Sequence, residues 1–157
     1  MCKACKEVYF HPDSFESKYA NVKNHGDARL FNLPEYYVRR IFIVEGEYDT
    51  MVLAQQGYNA VSSTAGAGTF LEEWAVHFLR IPLVYVCYDS DEAGKQGASA
   101  IQALIPKARL IMLNGSKDAT EYFKTHTKDD FESLIQQADR EPQNQGEVRL
   151  GGLYSHG

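Results

Sequence analysis

Residues 81–88 (IPLVYVCY) form an apolar run that stops abruptly at two carboxylates, Asp89 and Asp91, spaced i, i+2. A short, continuous apolar run bounded this way reads as a strand covered on both faces. Ala93, Gly94 and a helix-like pattern through residue 105 then turn the chain back, with Ile101, Leu104 and Ile105 pointing inward. Acids at the carboxyl end of a buried strand, where the chain enters a helix, sit on the rim at which open α/β sheets bind ligands.

The same alternation extends in both directions. Residues 41–44 (IFIV) form another apolar run, closed by Glu45-Gly46, and residues 49–56 read as a helix stopped by Gly57. Residues 58–62 follow as a strand, 63–69 as a loop of small residues, and 70–79 as a helix with Phe70, Leu71, Trp74, Phe78 and Leu79 on one stripe. A fourth strand over 108–113, a short helix over 117–124 and an amphipathic helix over 128–138 complete the pattern. Strand–helix alternation at this spacing implies right-handed crossovers, and so an α/β, Rossmann-like fold with a mostly parallel four-stranded sheet flanked by helices. Residues 1–40 are expected to form an irregular amino-terminal arm, 41–138 the domain, and 139–157 a loose tail.

Composition narrows the function. The net charge is −5 and unevenly spread: residues 1–40 hold seven Lys/Arg against five Asp/Glu, and the remainder nine against sixteen. An acidic domain is not a simple duplex-DNA clamp, because backbone binding rests on neutralising phosphates with cations. In the arm, Lys6, Lys18, Lys23 and Arg29 interleave with Tyr9, Phe10, Phe15, Tyr19, Phe31, Tyr36 and Tyr37. That pattern fits first an arm packed on the domain, since aromatic residues more often pack than stack on bases, and second a stacking platform for single-stranded nucleic acid. No apolar run approaches the roughly 20 residues of a membrane helix and no secretory h-region is visible, so the expected compartment is the cytoplasm, with no membrane partner. Cys2 and Cys5 form C-x2-C, half of a zinc site; His11 and His25 would complete it only at unusual spacing, and a cysteine pair upstream is the better complement. Cys87 lies in the apolar strand and reads as a small core residue.

Strands of a parallel sheet present their carboxyl ends to one edge. Glu45 follows the first strand, Asp89 and Asp91 the third, Asp118 and Glu121 the fourth, and Asp49 lies one helical turn beyond Glu45. One acid at a helix start is a cap. Three sets on one edge repel each other unless a cation joins them. Oxygen-only donors select a hard ion, Mg²⁺ or Mn²⁺, and with it phosphoryl or nucleotidyl transfer.

Residues 41–123 resemble a Toprim domain, the catalytic module shared by bacterial-type primases, topoisomerases and some nucleases. Val44-Glu45-Gly46-Glu47-Tyr48-Asp49 resembles V-E-G-x-x-D of the primases, Asp89-Ser90-Asp91-Glu92-Ala93-Gly94 their D-x-D-x-A-G, and Gly115 to Tyr122 their G-x-K-D-x-x-E-[YF]. Thr64-Ala65-Gly66 is similar to the A-x-x-G-T segment between them. Upstream, Lys18-Tyr19-Ala20-Asn21 and Leu30-Phe31-Asn32-Leu33 resemble the K-Y-x-N and L-[FY]-x-L segments that precede the Toprim in primases.

The resemblance implies a DNA primase catalytic domain that makes RNA primers on a single-stranded DNA template from nucleoside triphosphates, with a replicative helicase as a protein partner. Glu45, Asp89 and Asp91 would be catalytic, and Glu45, Asp49, Asp89, Asp91 and Asp118 would hold Mg²⁺ or Mn²⁺. Lys18, Tyr19, Asn21, Arg29, Lys95 and Lys117 would meet nucleic acid or nucleotide. Cys2 and Cys5 would end a zinc ribbon, binding Zn²⁺ only with an upstream half. Thr120 stands where bacterial chromosomal primases carry an aspartate, which weakens a third metal site; K-D-A-T-E is closer to the phage primase-helicase form. Only forty residues precede the domain, where bacterial primases have a basic template-binding subdomain. Two further readings share the same acids: a stand-alone Toprim nuclease acting on RNA or DNA, and a degenerate, non-catalytic Toprim module. The upstream segments favour the primase over the nuclease.

Overall fold

A computed structural model describes residues 27–66 and 68–141. Their elements run β1 (Leu30–Phe31), β2 (Arg40–Val44), α1 (Glu47–Gln55), β3 (Ala60–Ser63), a 3₁₀-helix (Glu72–Phe78), β4 (Leu83–Cys87), α2 (Glu92–Leu104), β5 (Arg109–Leu110), α3 (Ala119–Tyr122) and α4 (Lys128–Arg140). The sheet order is β1-β3-β2-β4-β5, with β2 to β5 parallel and β1 antiparallel to β3. The α/β reading with a mostly parallel sheet therefore holds, with one strand more than expected. Leu30 and Phe31, placed in the arm by their poor periodicity, pair with Ser63 and Ser62. A two-residue strand is too short to leave a period in the sequence.

The apolar runs are explained by burial on both faces. Phe42, Val44, Ala60, Tyr85 and Cys87 pack on one side of the sheet with Leu53, Tyr122, Phe131 and Ile135 from α1, α3 and α4. The alternate residues Ile41, Ile43, Val61, Val84, Val86 and Tyr88 pack on the other side with Phe78, Ala98 and Ile101. Such two-sided cover removes the polar alternation of a half-exposed strand.

Two expected helices differ from their sequence reading. Residues 70–79 wind as a 3₁₀-helix over Glu72–Phe78, and its cap residue Leu71 offers no side-chain acceptor. Its stripe survives as ring contacts, Phe70 edge-on to Trp74 at 5.5 Å and tilted against Phe78 at 5.8 Å, while Leu79 is exposed. The helix expected over 117–124 shortens to Ala119–Tyr122 because Asp118 is its cap. At the carboxyl end α4 continues through Arg140, two residues into the expected tail, and Asp139 accepts hydrogen bonds from the Tyr85 hydroxyl at 2.7 Å and Arg109 at 2.6 Å.

α4 is also tied to the opposite edge of the sheet from the acids. Glu132 accepts both Arg40 guanidinium nitrogens, at 3.2 and 3.0 Å, and the Tyr58 hydroxyl at 2.9 Å. Arg40 opens β2, and its guanidinium lies over the Phe42 and Tyr58 rings at 5.6 and 5.3 Å. Thr127 and Asp130 cap α4 reciprocally. Replacing Glu132 by Ala strands a mostly buried hydroxyl and a guanidinium, and is expected to lower unfolding free energy by about 2 kcal/mol. Urea denaturation measures it, and an unchanged midpoint would show that the clasp contributes nothing.

Candidate metal centre

The parallel strands deliver the predicted acids to one rim. Glu45 follows β2 directly, and Asp49 is buried in the first turn of α1. Asp89 follows β4, Asp91 caps α2, and Asp118 caps α3. The five act on one another electrostatically. Burial raises Asp89 first, and the charges of Glu45, Asp49 and Asp118 raise it further, up to about 7, against the opposing charge of Lys117. Glu45 is raised by burial and then by Asp91 and Asp49, while the Asp89 amide and Lys117 oppose the shift. Asp49 is raised by burial and by Asp118, and its bonds to Thr120 oppose that.

Each acid is engaged differently. Asp91 Oδ1 accepts the Gly94 amide at 2.8 Å, and Asp118 Oδ1 the Glu121 amide at 2.7 Å. Asp49 Oδ1 accepts both the amide and the hydroxyl of Thr120, at 2.9 and 2.7 Å. Asp89 Oδ2 lies 3.7 Å from Lys117 Nζ, whose side chain is largely exposed. Glu45 Oε2 is buried with no hydrogen-bond partner.

Two residues of the rim have roles that their sequence positions did not reveal. Thr120 looked like a lost acid, yet its two donors lock Asp49 in place. Gly94 looked like a turn residue inside its motif. A Cβ there would stand 2.2 Å from the Asp89 carbonyl oxygen and 2.8 Å from its carbon, so only glycine lets α2 rest on the backbone that carries Asp89.

The donors gathered on this rim are all carboxylate oxygens. That chemistry suits a hard divalent cation. Among the described residues no three Asp, Glu, His or Cys side chains stand close enough together to hold a metal ion. Mg²⁺ does not require three, since it is usually held by one or two carboxylates and completes its shell with water and substrate phosphate.

Lys95 is exposed on α2 and lines, with Tyr88, Asp89 and Ser90, a cleft of about 220 Å³ beside the acids. Arg29 is exposed too, and its backbone pairs with Thr64, whose amide and Oγ1 it meets at 2.9 and 3.0 Å, beyond the carboxyl end of β3. Lys18, Tyr19, Asn21, Cys2 and Cys5 lie outside the described residues. Among those described, no helix is long and apolar enough to cross a membrane.

Without metal, the raised Asp89 binds a proton more tightly in the folded than in the unfolded chain. Its contribution to stability is therefore present at low pH and is lost as pH rises from about 4 through about 7. Asp89→Asn should flatten that decline and raise the thermal midpoint at pH 8 in chelator, as read by circular dichroism. A lower midpoint for the variant would instead assign Asp89 a structural role. Gly94→Ala is expected to cost about 3 kcal/mol by overpacking and to weaken Mn²⁺ binding, measured by denaturation and titration.

The Toprim-like family model matches residues 42–123, just over half of the chain. The DNA primase of Pseudomonas aeruginosa is 30% identical over 104 residues, which span 62% of this chain and 16% of that protein. The structure of a DNA primase domain from Pseudomonas aeruginosa superposes with a TM-score of 0.65 at 26% identity, over 78% of this chain and 43% of the other. A primase catalytic domain solved bound to single-stranded DNA gives 0.62 at 25% identity, over 79% and 45%. The chain spans about a sixth of the length of the curated relatives it matches. This chain belongs to the Toprim-like family, and its Toprim domain is of the DNA primase type.

Proposed function

We propose that this chain provides the catalytic centre of a DNA primase, joining ribonucleotides into primers on a single-stranded DNA template. The observation that carries the reading is the gathering of acids from three strand ends on one partly buried rim, where burial first and their like charges second lift Asp89 to about 7. A protein keeps such repulsion where a cation relieves it. The bound single strand in a primase catalytic domain of the same fold supports the choice of template. The K-D-A-T-E form at residues 117–121 supports a phage or mobile-element origin.

In this reading Glu45, Asp89 and Asp91 hold Mg²⁺ or Mn²⁺, Asp118 adds a contact, and Asp49, fixed by Thr120, maintains the negative field. When bound, the ion neutralises charge on the attacking and leaving oxygens of phosphoryl transfer. Glu45 stands at the end of the central strand and serves as a metal ligand or as the general base near the primer hydroxyl. Lys117, set against Asp89, and Lys95, at the mouth of the neighbouring cleft, meet the triphosphate or the template backbone. Arg29, with Lys18, Tyr19 and Asn21, extends that contact toward the template, and a replicative helicase is the protein partner. Cys2 and Cys5 take Zn²⁺ only with further ligands upstream.

Incorporation of labelled ribonucleotides on single-stranded DNA with Mn²⁺, in the full parent protein, tests this reading. Glu45→Gln should reduce incorporation on the order of 100-fold or more. Metal-dependent cleavage of a labelled oligonucleotide without incorporation, lost in the same variant, would make the domain a nuclease. Metal binding with neither activity would make it a non-catalytic module.

A further inference from the structure

Three side-chain polar atoms among the described residues are buried without a hydrogen-bond partner: Glu45 Oε2, Ser62 Oγ and the Tyr88 hydroxyl. Ser62 continues the alternation of Ala60, on the face packed against α1, α3 and α4. Glu45 and Tyr88 belong together on the opposite face. Val44 and Cys87 are the last registered pair of β2 and β4, so Glu45 and Tyr88 are the next residues on adjacent strands. Tyr88 packs with Val84 and Val86, and Glu45 continues the alternation of Ile41 and Ile43, members of the same core cluster. Adjacent strands lie about 5 Å apart, so the two side chains run side by side off the sheet.

Tyr88 is only 7% exposed, and Phe would fill the same apolar volume with no hydroxyl to satisfy. An unpartnered buried hydroxyl is destabilising, and so is an unpartnered buried carboxylate oxygen. A donor and an acceptor in that condition, on neighbouring strand ends of one face, complement each other. Tyr88 also borders the cleft that runs beside Asp89 to Lys95. Besides its own burial, the negative charge of Glu45 is what raises the tyrosine above its ordinary range.

We infer that the Tyr88 hydroxyl holds the Glu45 carboxylate in place, donating to Oε2 either directly after a shift of the glutamate side chain or through one buried water. Tyr88 is then a positioning residue for the first acid of the centre, and the inference rests on the reading of Glu45 as a metal-site carboxylate. Its phenol limits the rotamers open to Glu45, so that the oxygen facing the rim is pre-set for the ion. Groups standing behind metal ligands in this way influence affinity without touching the metal.

The test is a double-mutant cycle on the full 157-residue chain, combining Tyr88→Phe with Glu45→Ala. Mn²⁺ affinity is followed by electron paramagnetic resonance and thermal midpoints are taken in chelator. Tyr88→Phe is expected to weaken Mn²⁺ binding about tenfold in the parent chain and not at all beside Glu45→Ala. In chelator the two substitutions should be non-additive, because each removes the same hydrogen bond. Unchanged Mn²⁺ affinity in Tyr88→Phe, or additive midpoints with Tyr88→Phe simply more stable, would overturn the inference. Should the parent chain bind no Mn²⁺, the metal reading fails, and the chelator cycle alone decides whether Tyr88 holds Glu45.

Discussion

The rim of this domain is governed by mutual repulsion. Five carboxylates from three strand ends act on one another where water is partly excluded, and burial together with like charge lifts Asp89 to about 7. Nothing in the folding of a small α/β domain requires such an arrangement, and the rest of the structure works against the cost of keeping it. The sheet is buried on both faces and cannot splay to relieve the charges. The clasp of Glu132 with Arg40 and Tyr58 lies at the opposite edge, where α4 is fastened without adding charge to the rim.

The acids divide into two kinds by what their oxygens already do. Asp91, Asp118 and Asp49 each give one oxygen to a backbone amide or hydroxyl, which fixes their direction. Glu45 accepts the Asp89 amide yet keeps one buried oxygen without a partner, and Asp89 faces the exposed ammonium of Lys117. Capped acids provide a rigid field, while the two less constrained ones can meet an incoming cation. A helix cap and a metal contact are therefore compatible roles for one aspartate, because a carboxylate has two oxygens.

Small residues set these positions as firmly as the acids do. Gly94 brings α2 down on the Asp89 backbone, at a distance no Cβ permits. Thr120 replaces a further carboxylate by two hydrogen-bond donors, so Asp49 gains partners where another acid would have added repulsion. Tyr88 brings a hydroxyl to the one acid among the described residues whose buried oxygen lacks a partner. The charge pattern of the centre is thus adjusted by neutral neighbours.

The sequence by itself determined the mostly parallel sheet and the rim to which the acids go, while the strand order came from the structure. Continuous apolar runs such as 81–88 admit only two-sided burial, and a parallel strand has one carboxyl end. It also placed Glu45, Asp49, Asp89, Asp91 and Asp118 at strand ends, since their spacing from the runs is local. It did not reveal β1, whose pairing with β3 spans more than thirty residues and leaves no period in two. Nor did it reveal the 3₁₀ winding of Glu72–Phe78, because an i, i+4 stripe is common to several helix types. Only the tertiary structure decided which residues answer which. Thr120 meets Asp49 across 71 positions, Glu132 meets Arg40 across 92, and Tyr88 comes beside Glu45 because β2 and β4 are neighbours. Hydrogen bonds and charge coupling depend on distance in space, and distance along the chain carries almost none of that information.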